Sequence, residues 1–217
     1  MKIYNFDDTP SLVSQYLREM RGIDMQNDRM RFRRNLERLG EIFAYEMSKT
    51  FRYRVDQVRT PLGVDAACNV IDEDIVLATI FRAGVPFHQG FLRYLDNAEN
   101  AFVSAYRKYK EKEQFDILIE YLASPRLDGK TLILCDPMLA TGASMELSYR
   151  ALLTKGTPAK VCLASVIASR KAVEYLDSVM PAEAELWVGV IDDEINAHSY
   201  IVPGLGDAGD LAYGTKE

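Results

Sequence analysis

Between residues 30 and 47 the apolar positions Met30, Phe32, Leu36, Leu39, Ile42, Phe43 and Met47 recur at near-helical spacing among charged residues, and the first 50 residues read as helical. The pattern then changes period. Tyr53, Val55 and Val58 are separated by polar residues, Thr60-Pro61-Leu62-Gly63 supplies turn chemistry, and 64–70 is again extended, which predicts a hairpin over about 53–70. The short, largely apolar run from Ile75 to Phe81 suits a buried parallel strand, and 84–97 turns helical. Further strands are expected at 101–105, 115–122, 131–135, 161–168 and 185–191, with helices at 142–155 and 170–180. Strands alternating with helices imply an α/β fold built on a mostly parallel twisted sheet flanked by helices. No internal repeat, low-complexity tract or linker interrupts the pattern, so 1–217 reads as a single domain.

Composition narrows the classes without identifying the chemistry. Hydrophobic residues make up 48% of 217, enough for a packed core, and no run approaches the roughly 18 apolar residues of a membrane helix. The start, Met1-Lys2-Ile3-Tyr4-Asn5-Phe6-Asp7-Asp8, lacks the basic and apolar regions of a signal peptide, so a cytoplasmic location and no membrane partner are expected. Cys68, Cys135 and Cys162 are too few and too scattered for a disulfide framework or a zinc site and read as small buried hydrophobes. A net charge of -6 argues against sequence-independent nucleic-acid binding but leaves room for a small anion held by a few arginines and helix N-termini.

The most informative stretch is Thr131-Leu132-Ile133-Leu134-Cys135 followed by Asp136-Pro137-Met138-Leu139-Ala140-Thr141-Gly142-Ala143-Ser144. An apolar strand ends at an acid, and small and hydroxylated residues then open a helix whose unpaired N–H groups can surround a phosphate. Gly142 permits close backbone approach, and Thr141 and Ser144 can add hydroxyl donors. Asp136 stands at the carboxyl end of its strand, where open α/β sheets bind ligands and where a carboxylate can accept from two ribose hydroxyls. The pattern alone fits equally a turn acid at 136 and a capping serine at 144. It is not a Walker loop, because no Gly-Lys-Ser/Thr follows.

The segment Asp136 to Ser144 closely resembles the signature by which uracil phosphoribosyltransferases bind phosphoribosyl pyrophosphate (PRPP). The resemblance implies that the loop holds the 5-phosphate and Asp136 the ribose. Ala143 departs from the family's usual second glycine, which leaves the N–H in place and adds a methyl group. Arg82, in Phe81-Arg82-Ala83-Gly84, follows the buried strand and precedes a flexible glycine. By itself it fits a surface arginine opening a helix. The stretch is similar to the family's pyrophosphate loop, where a guanidinium meets the charge growing on the departing oxygen. Arg107, in Ser104-Ala105-Tyr106-Arg107-Lys108, resembles a second family arginine at the end of the next strand, although the pattern alone suits a solvated basic loop. The resemblance also implies Mg²⁺ brought in as the PRPP complex. Its shell would be largely PRPP oxygens and water, so no protein metal ligand is assigned.

Near the C-terminus, Gly204-Leu205-Gly206-Asp207-Ala208-Gly209 formally matches a dinucleotide fingerprint, but with only Asp210 to Glu217 after it no βαβ unit with its distant acid is expected here. A glycine-rich loop can instead present backbone N–H and C=O groups to a flat ligand. Residues 200–215 resemble the family's uracil-binding tail, with Tyr213 where phenylalanine is usual. The implied uracil contacts are Ile201, Gly206, Asp207 and Ala208, with Asp207 also on the PRPP side. His88 and His198 belong to no metal-ligand spacing or triad and read as packing or surface residues.

Taken across the chain, the resemblance implies a type I phosphoribosyltransferase fold, with a hood built from the N-terminal helices and the tail 200–217 and a hairpin arm for dimer contact. It implies an enzyme that converts uracil and PRPP to UMP and pyrophosphate, with Arg82, Arg107, Asp136 and Asp207 as its catalytic residues. A homodimer or higher homo-oligomer and GTP as a candidate activator belong to the same expectation. Two alternatives remain open at this point. One is another pyrimidine as substrate. The other is a non-catalytic PRPP-sensing regulator, which the acidic charge and the Asp136-Pro137 pair disfavour.

Overall fold

The computed structural model describes residues 1–109 and 115–216, with side chains described outside 105–118. Its strands are β1 (Lys2–Asn5), β2 (Tyr53–Arg59), β3 (Asp65–Ile71), β4 (Ile75–Phe81), β5 (Glu99–Tyr109), β6 (Phe115–Ala123), β7 (Thr131–Cys135), β8 (Met138–Leu139), β9 (Lys160–Ser169), β10 (Glu185–Asp192), β11 (Glu194–Ile195) and β12 (Ile201–Val202). The α-helices are α1 (Leu12–Arg21), α2 (Arg29–Ser48), α3 (Gly84–Leu92), α4 (Ala143–Leu152), α5 (Arg170–Val179) and α6 (Ala208–Tyr213). The central sheet runs β1-β10-β9-β7-β4-β5-β6, with β8 beside β9. Every pairing in it is parallel except β5 with β6.

The reading of the first 50 residues as wholly helical is corrected at the start. Residues 2–5 form β1, parallel to β10 with Tyr4 opposite Trp187. Four residues are too short to show a period. What selects the strand is tertiary: Tyr4 stacks on Trp187 with ring centroids 3.8 Å apart and planes 8° from parallel. Two helices then form in place of one continuous run. Ser11 caps α1, and the Asp28 side chain accepts from the Arg31 N–H to start α2.

Alternation along the central strands divides the core in two. Leu77, Ile133, Cys135, Cys162 and Ala164 face α1, α2 and α3, where they join Leu36, Phe43, Phe87 and Phe91. Val76, Ala78, Ile80, Leu132, Leu134 and Leu163 face the other way, onto Met145 and Leu152 of α4 and Leu176 of α5. On the first face α2 and α3 cross very closely. A side chain at Gly40 would meet the Phe87 carbonyl at 2.2 Å, and one at Gly90 the Glu37 carbonyl at 2.0 Å. The hairpin β2–β3 stands apart from the sheet with its turn at Thr60–Gly63, where the Gly63 N–H donates to the Thr60 carbonyl at 3.0 Å.

Strand order also says where a ligand belongs. From β4 the chain crosses through α3 to β5 on one side, while β7 lies on the other side of β4. The order reverses between β4 and β7, and the crevice beyond the carboxyl ends of two such strands is the usual ligand position in an open α/β sheet. With Thr79 opposite Cys135, Asp136 and Arg82 emerge side by side at that crevice.

Candidate active site

The loop after β7 is fastened along its length. The Asp136 N–H donates to the Ala164 carbonyl at 3.1 Å, and the Asp136 carboxylate accepts from the Met138 N–H at 3.2 Å. Met138 and Leu139 then run beside β9, with the Ile167 N–H donating to the Pro137 carbonyl at 3.0 Å. The Ser169 hydroxyl donates to the Ala140 carbonyl at 2.6 Å while accepting from the Ala172 N–H at 3.0 Å, so one serine starts α5 and holds the loop. Gly142 caps α4 in the left-handed region at φ 79° and has no side chain to bond the opening turn, where the Ala143 N–H makes only a long bond to the Thr141 hydroxyl at 3.4 Å. Ser144 stands inside the first turn of α4 and not at the capping position. Asp136, Met138, Leu139, Thr141, Gly142 and Ser144 together line a small concavity in front of that helix.

Arg82 leaves the end of β4 and reaches the C-terminal segment. Its Nη2 donates to Asp210 Oδ1 at 2.7 Å and its Nη1 to the Gly214 carbonyl at 3.1 Å. Arg107 lies on β5 opposite Ile117, and its side chain lies outside the described residues.

The tail is more ordered than its glycine content suggests. Ile201 and Val202 pair antiparallel with Ile195 and Glu194, the chain turns through Pro203 and Gly204, and 208–213 form the short helix α6. Asp207 caps that helix by accepting from the Asp210 N–H at 3.0 Å. The tail then closes on the other two motifs. The Ala208 N–H points at the Met138 sulfur at 3.3 Å, and a side chain at Gly209 would meet Arg82 Nη2 at 3.2 Å. Of the residues singled out in the sequence, Ala208 thus contacts Met138 directly and Arg82 and Asp207 are joined through Asp210, with the rest of 136–144 continuous with Met138. Ile201 and Ala208 are buried and Gly206 is exposed.

Several residues of this neighbourhood escaped sequence reasoning. Asp210 holds Arg82, and Arg33 Nη1 donates to the Ala212 carbonyl at 2.7 Å, tying α2 to α6. Arg21 and Asp192 meet the tail at Gly204. Asp192 ends an apolar strand, which is a weak signal in the sequence; nothing in the spacing of Arg21, Arg33 or Asp210 points to the site. A larger cavity of about 590 Å³ lies between α1 and β10, and no residue of 136–144 lines it.

Neither histidine joins the convergence. His88 is buried on α3 beside Phe102, and burial lowers its pKa, so its ring is neutral at pH 7. His198 lies in the turn before β12. Burial pushes the Cys135 thiol up to about 12 and raises that of Cys162, which leaves both unreactive. Among the described residues no cluster of three or more carboxylate, histidine or cysteine side chains could hold a metal ion, and no helix is long and apolar enough to cross a membrane. The arrangement therefore offers N–H groups at a helix start for an anion, a carboxylate at the strand end, a guanidinium bound to the tail, and backbone polar groups of a glycine-rich turn.

Comparison with known proteins finds relatives along nearly the whole chain. Residues 10–215 match the family model described as uracil phosphoribosyltransferase. The uracil phosphoribosyltransferase of Porphyromonas gingivalis is 58% identical over 216 residues, covering 100% of both chains. That of Methanothermobacter thermautotrophicus is 39% identical, over 89% of this chain and 86% of its own. Among solved structures, the AQ2163 protein of Aquifex aeolicus superposes with a TM-score of 0.86 at 32% identity, covering 98% of each chain. A hypoxanthine phosphoribosyltransferase of Staphylococcus aureus shares the fold at a TM-score of 0.50 and 13% identity, over 74% of each chain.

Proposed function

The chain belongs to the uracil phosphoribosyltransferase family, and from that membership we propose how its own residues join uracil to the ribose 5-phosphate of PRPP, releasing UMP and pyrophosphate. The N–H groups of Thr141 to Ser144 take the 5-phosphate at the start of α4, with the hydroxyls of Thr141 and Ser144 as further donors. Pro137 to Ala140 form the floor that Ser169 and β9 hold in place. Asp136 accepts from the ribose hydroxyls. As the bond from the anomeric carbon to pyrophosphate breaks, its electron pair leaves on oxygen, and Arg82 and Arg107 meet that charge. Ribosyl cation character then draws the electron pair of uracil N1 into the new bond to the anomeric carbon while the N1–H bond breaks and its proton passes to the departing pyrophosphate or to water, and Asp207 sits between the two ligands.

Backbone groups of Ile201 and of Gly206 to Ala208 read the uracil edge. The Ala208 N–H is suited to this, because its present acceptor is a thioether, a weak one that a uracil oxygen readily replaces. The observation that carries the reading is the 3.3 Å approach of Ala208 to Met138, since base and ribose must lie next to each other for a bond to form between them.

The donor set suits magnesium carried in on PRPP. Among the described residues Asp136 is the one carboxylate lining the loop's concavity, so most of the ion's shell would be PRPP oxygens and water. Bound there, the ion would neutralise pyrophosphate charge. The exposed apolar residues Tyr53, Val55, Leu62 and Val64 of the hairpin support its role as an arm between copies of the chain, in a homodimer or larger assembly. The N-terminal helices and the tail 200–217 form the hood, GTP is a candidate activator, and the setting is cytoplasmic.

The direct test is to incubate the protein with PRPP, Mg²⁺ and uracil and to follow UMP, alongside Asp136→Asn. The variant is expected to keep its fold and lose roughly ten- to thousand-fold in productive PRPP use, the scale of one lost charged contact. Wild-type kinetics in the variant would remove Asp136 from the site.

A further inference from the structure

A base read by backbone groups is read only as well as that backbone is held. Between Ile201 and Gly206 the tail makes its turn at Gly204, a left-handed residue at φ 58° that follows Pro203. A side chain there would strike the Ile201 carbonyl at 2.0 Å. Both polar groups of Gly204 are engaged by one ion pair. Its N–H donates to Asp192 Oδ2 at 2.9 Å, and its carbonyl accepts from Arg21 Nη1 at 3.3 Å. The pair closes on itself in a fork: Arg21 Nη2 donates to Asp192 Oδ1 at 2.8 Å and Nη1 to Oδ2 at 3.0 Å. Asp192 is 7% exposed, so these bonds are little weakened by solvent. Its two partners come from distant parts of the chain, the last residue of α1 and the tail, while Asp192 itself ends β10.

We propose that Arg21 and Asp192 are positioning residues for base recognition, a clamp on Gly204 that fixes the spacing between the Ile201 side and the Gly206–Ala208 side of the uracil edge. This rests on the reading of the tail as the base site. Among the described residues the side chains of this pair bond each other and Gly204 and not the phosphate loop, so the clamp acts on the base and not on PRPP. It also explains why a helix outside the sheet is needed for specificity: α1 supplies the guanidinium that a two-residue strand and a turn could not supply for themselves.

The test uses the full chain with Asp192→Asn and Arg21→Lys. Asparagine keeps the shape and an acceptor for the Gly204 N–H but removes the charge; lysine keeps the charge but cannot form the fork. In Asp192→Asn the KM for uracil is expected to rise on the order of ten- to hundredfold, with the KM for PRPP within about threefold and the preference for uracil over cytosine reduced. Arg21→Lys should fall between this variant and the wild type. Hydrogen exchange of the backbone amides over 201–208 should accelerate in both variants while the amides of β7 and β9 keep their protection. Unchanged exchange at Gly204, or equal changes in the KM of uracil and PRPP, would overturn the clamp. The exchange measurement needs no substrate, so it decides the clamp even if the wild type makes no UMP, an outcome that would instead sink the assignment of the base site.

Discussion

In the proposed mechanism Arg82 carries two tasks that a simple truncation would confuse. Its guanidinium is suited to the departing pyrophosphate, but it also grips Asp210 and the Gly214 carbonyl. Arg82→Ala therefore removes a transition-state charge and loosens the tail together. Asp210→Asn separates the two by weakening the grip while leaving the guanidinium. Arg82→Ala is expected to lower kcat by roughly 10²-fold or more, the range of one lost donor to a developing charge, whereas Asp210→Asn should leave kcat within about threefold. Steady-state kinetics with each substrate varied at saturation of the other would check this. Equal losses of kcat would mean that Arg82 matters only as an anchor. Positions set by local chemistry were legible beforehand: Asp136 at a strand end, Gly142 before a helix, Arg82 just after a buried strand. Asp210, Arg33, Arg21 and Asp192 were not, because each acts on a segment far away in sequence.

Elements show the same division. β4, β7, β9 and β10 announce themselves as apolar runs because both of their faces are buried, and the hairpin by its turn residues. β1 was missed because four residues at a sheet edge carry no period. α6 was missed because its six residues follow a glycine-rich turn, and Asp207 looked like a ligand residue more than a helix cap. The pairing of α4 with α5 is legible only in three dimensions. On α4 the Glu146 carboxylate accepts from the Tyr175 hydroxyl of α5 and from Arg150 Nε at 2.7 Å. The Tyr175 bond, opposed by burial and aided by Arg150, holds that carboxyl below the usual glutamate range. A depressed pKa contributes stability that is present above the unfolded value and lost as pH falls through the folded one. Tyr175→Phe should therefore cost about 1 kcal/mol near pH 7, with the two proteins converging in stability as pH drops below about 4.5. Denaturant unfolding at several pH values measures it, and a pH-independent gap would assign the loss to ring packing. Because Leu176 and the Ala172 carbonyl of α5 also crowd Gly142, the same helix pair backs the phosphate cradle.

At the scale of the molecule, the site is a meeting of segments that the chain keeps far apart. A sheet reversal brings Arg82 and Asp136 together, and the tail returns across the same crevice to place Ala208 on Met138. The tail is also part of the core: Ile201, Leu205, Ala208 and Ala212 are buried against the cluster that contains Leu36, Phe43 and Phe87. Deleting residues 203–217 would therefore strip cover from α2 as well as remove the proposed base contacts, and a loss of UMP formation in such a deletion would not speak to recognition. Discrimination between bases in the intact chain does. Uracil presents an acceptor, a donor and an acceptor along its edge, whereas cytosine replaces the last two by an acceptor and a donor. A backbone held on one side by β11 and on the other by α6 cannot reverse its own donors and acceptors. Cytosine would set donor against donor and acceptor against acceptor, a mismatch that costs several kcal/mol when buried, or roughly 10³-fold and more. The expected ratio of kcat/KM for uracil over cytosine, at saturating PRPP and Mg²⁺, is at least of that order. Comparable values for the two bases would defeat recognition by the backbone edge, even with phosphoribosyl transfer itself intact.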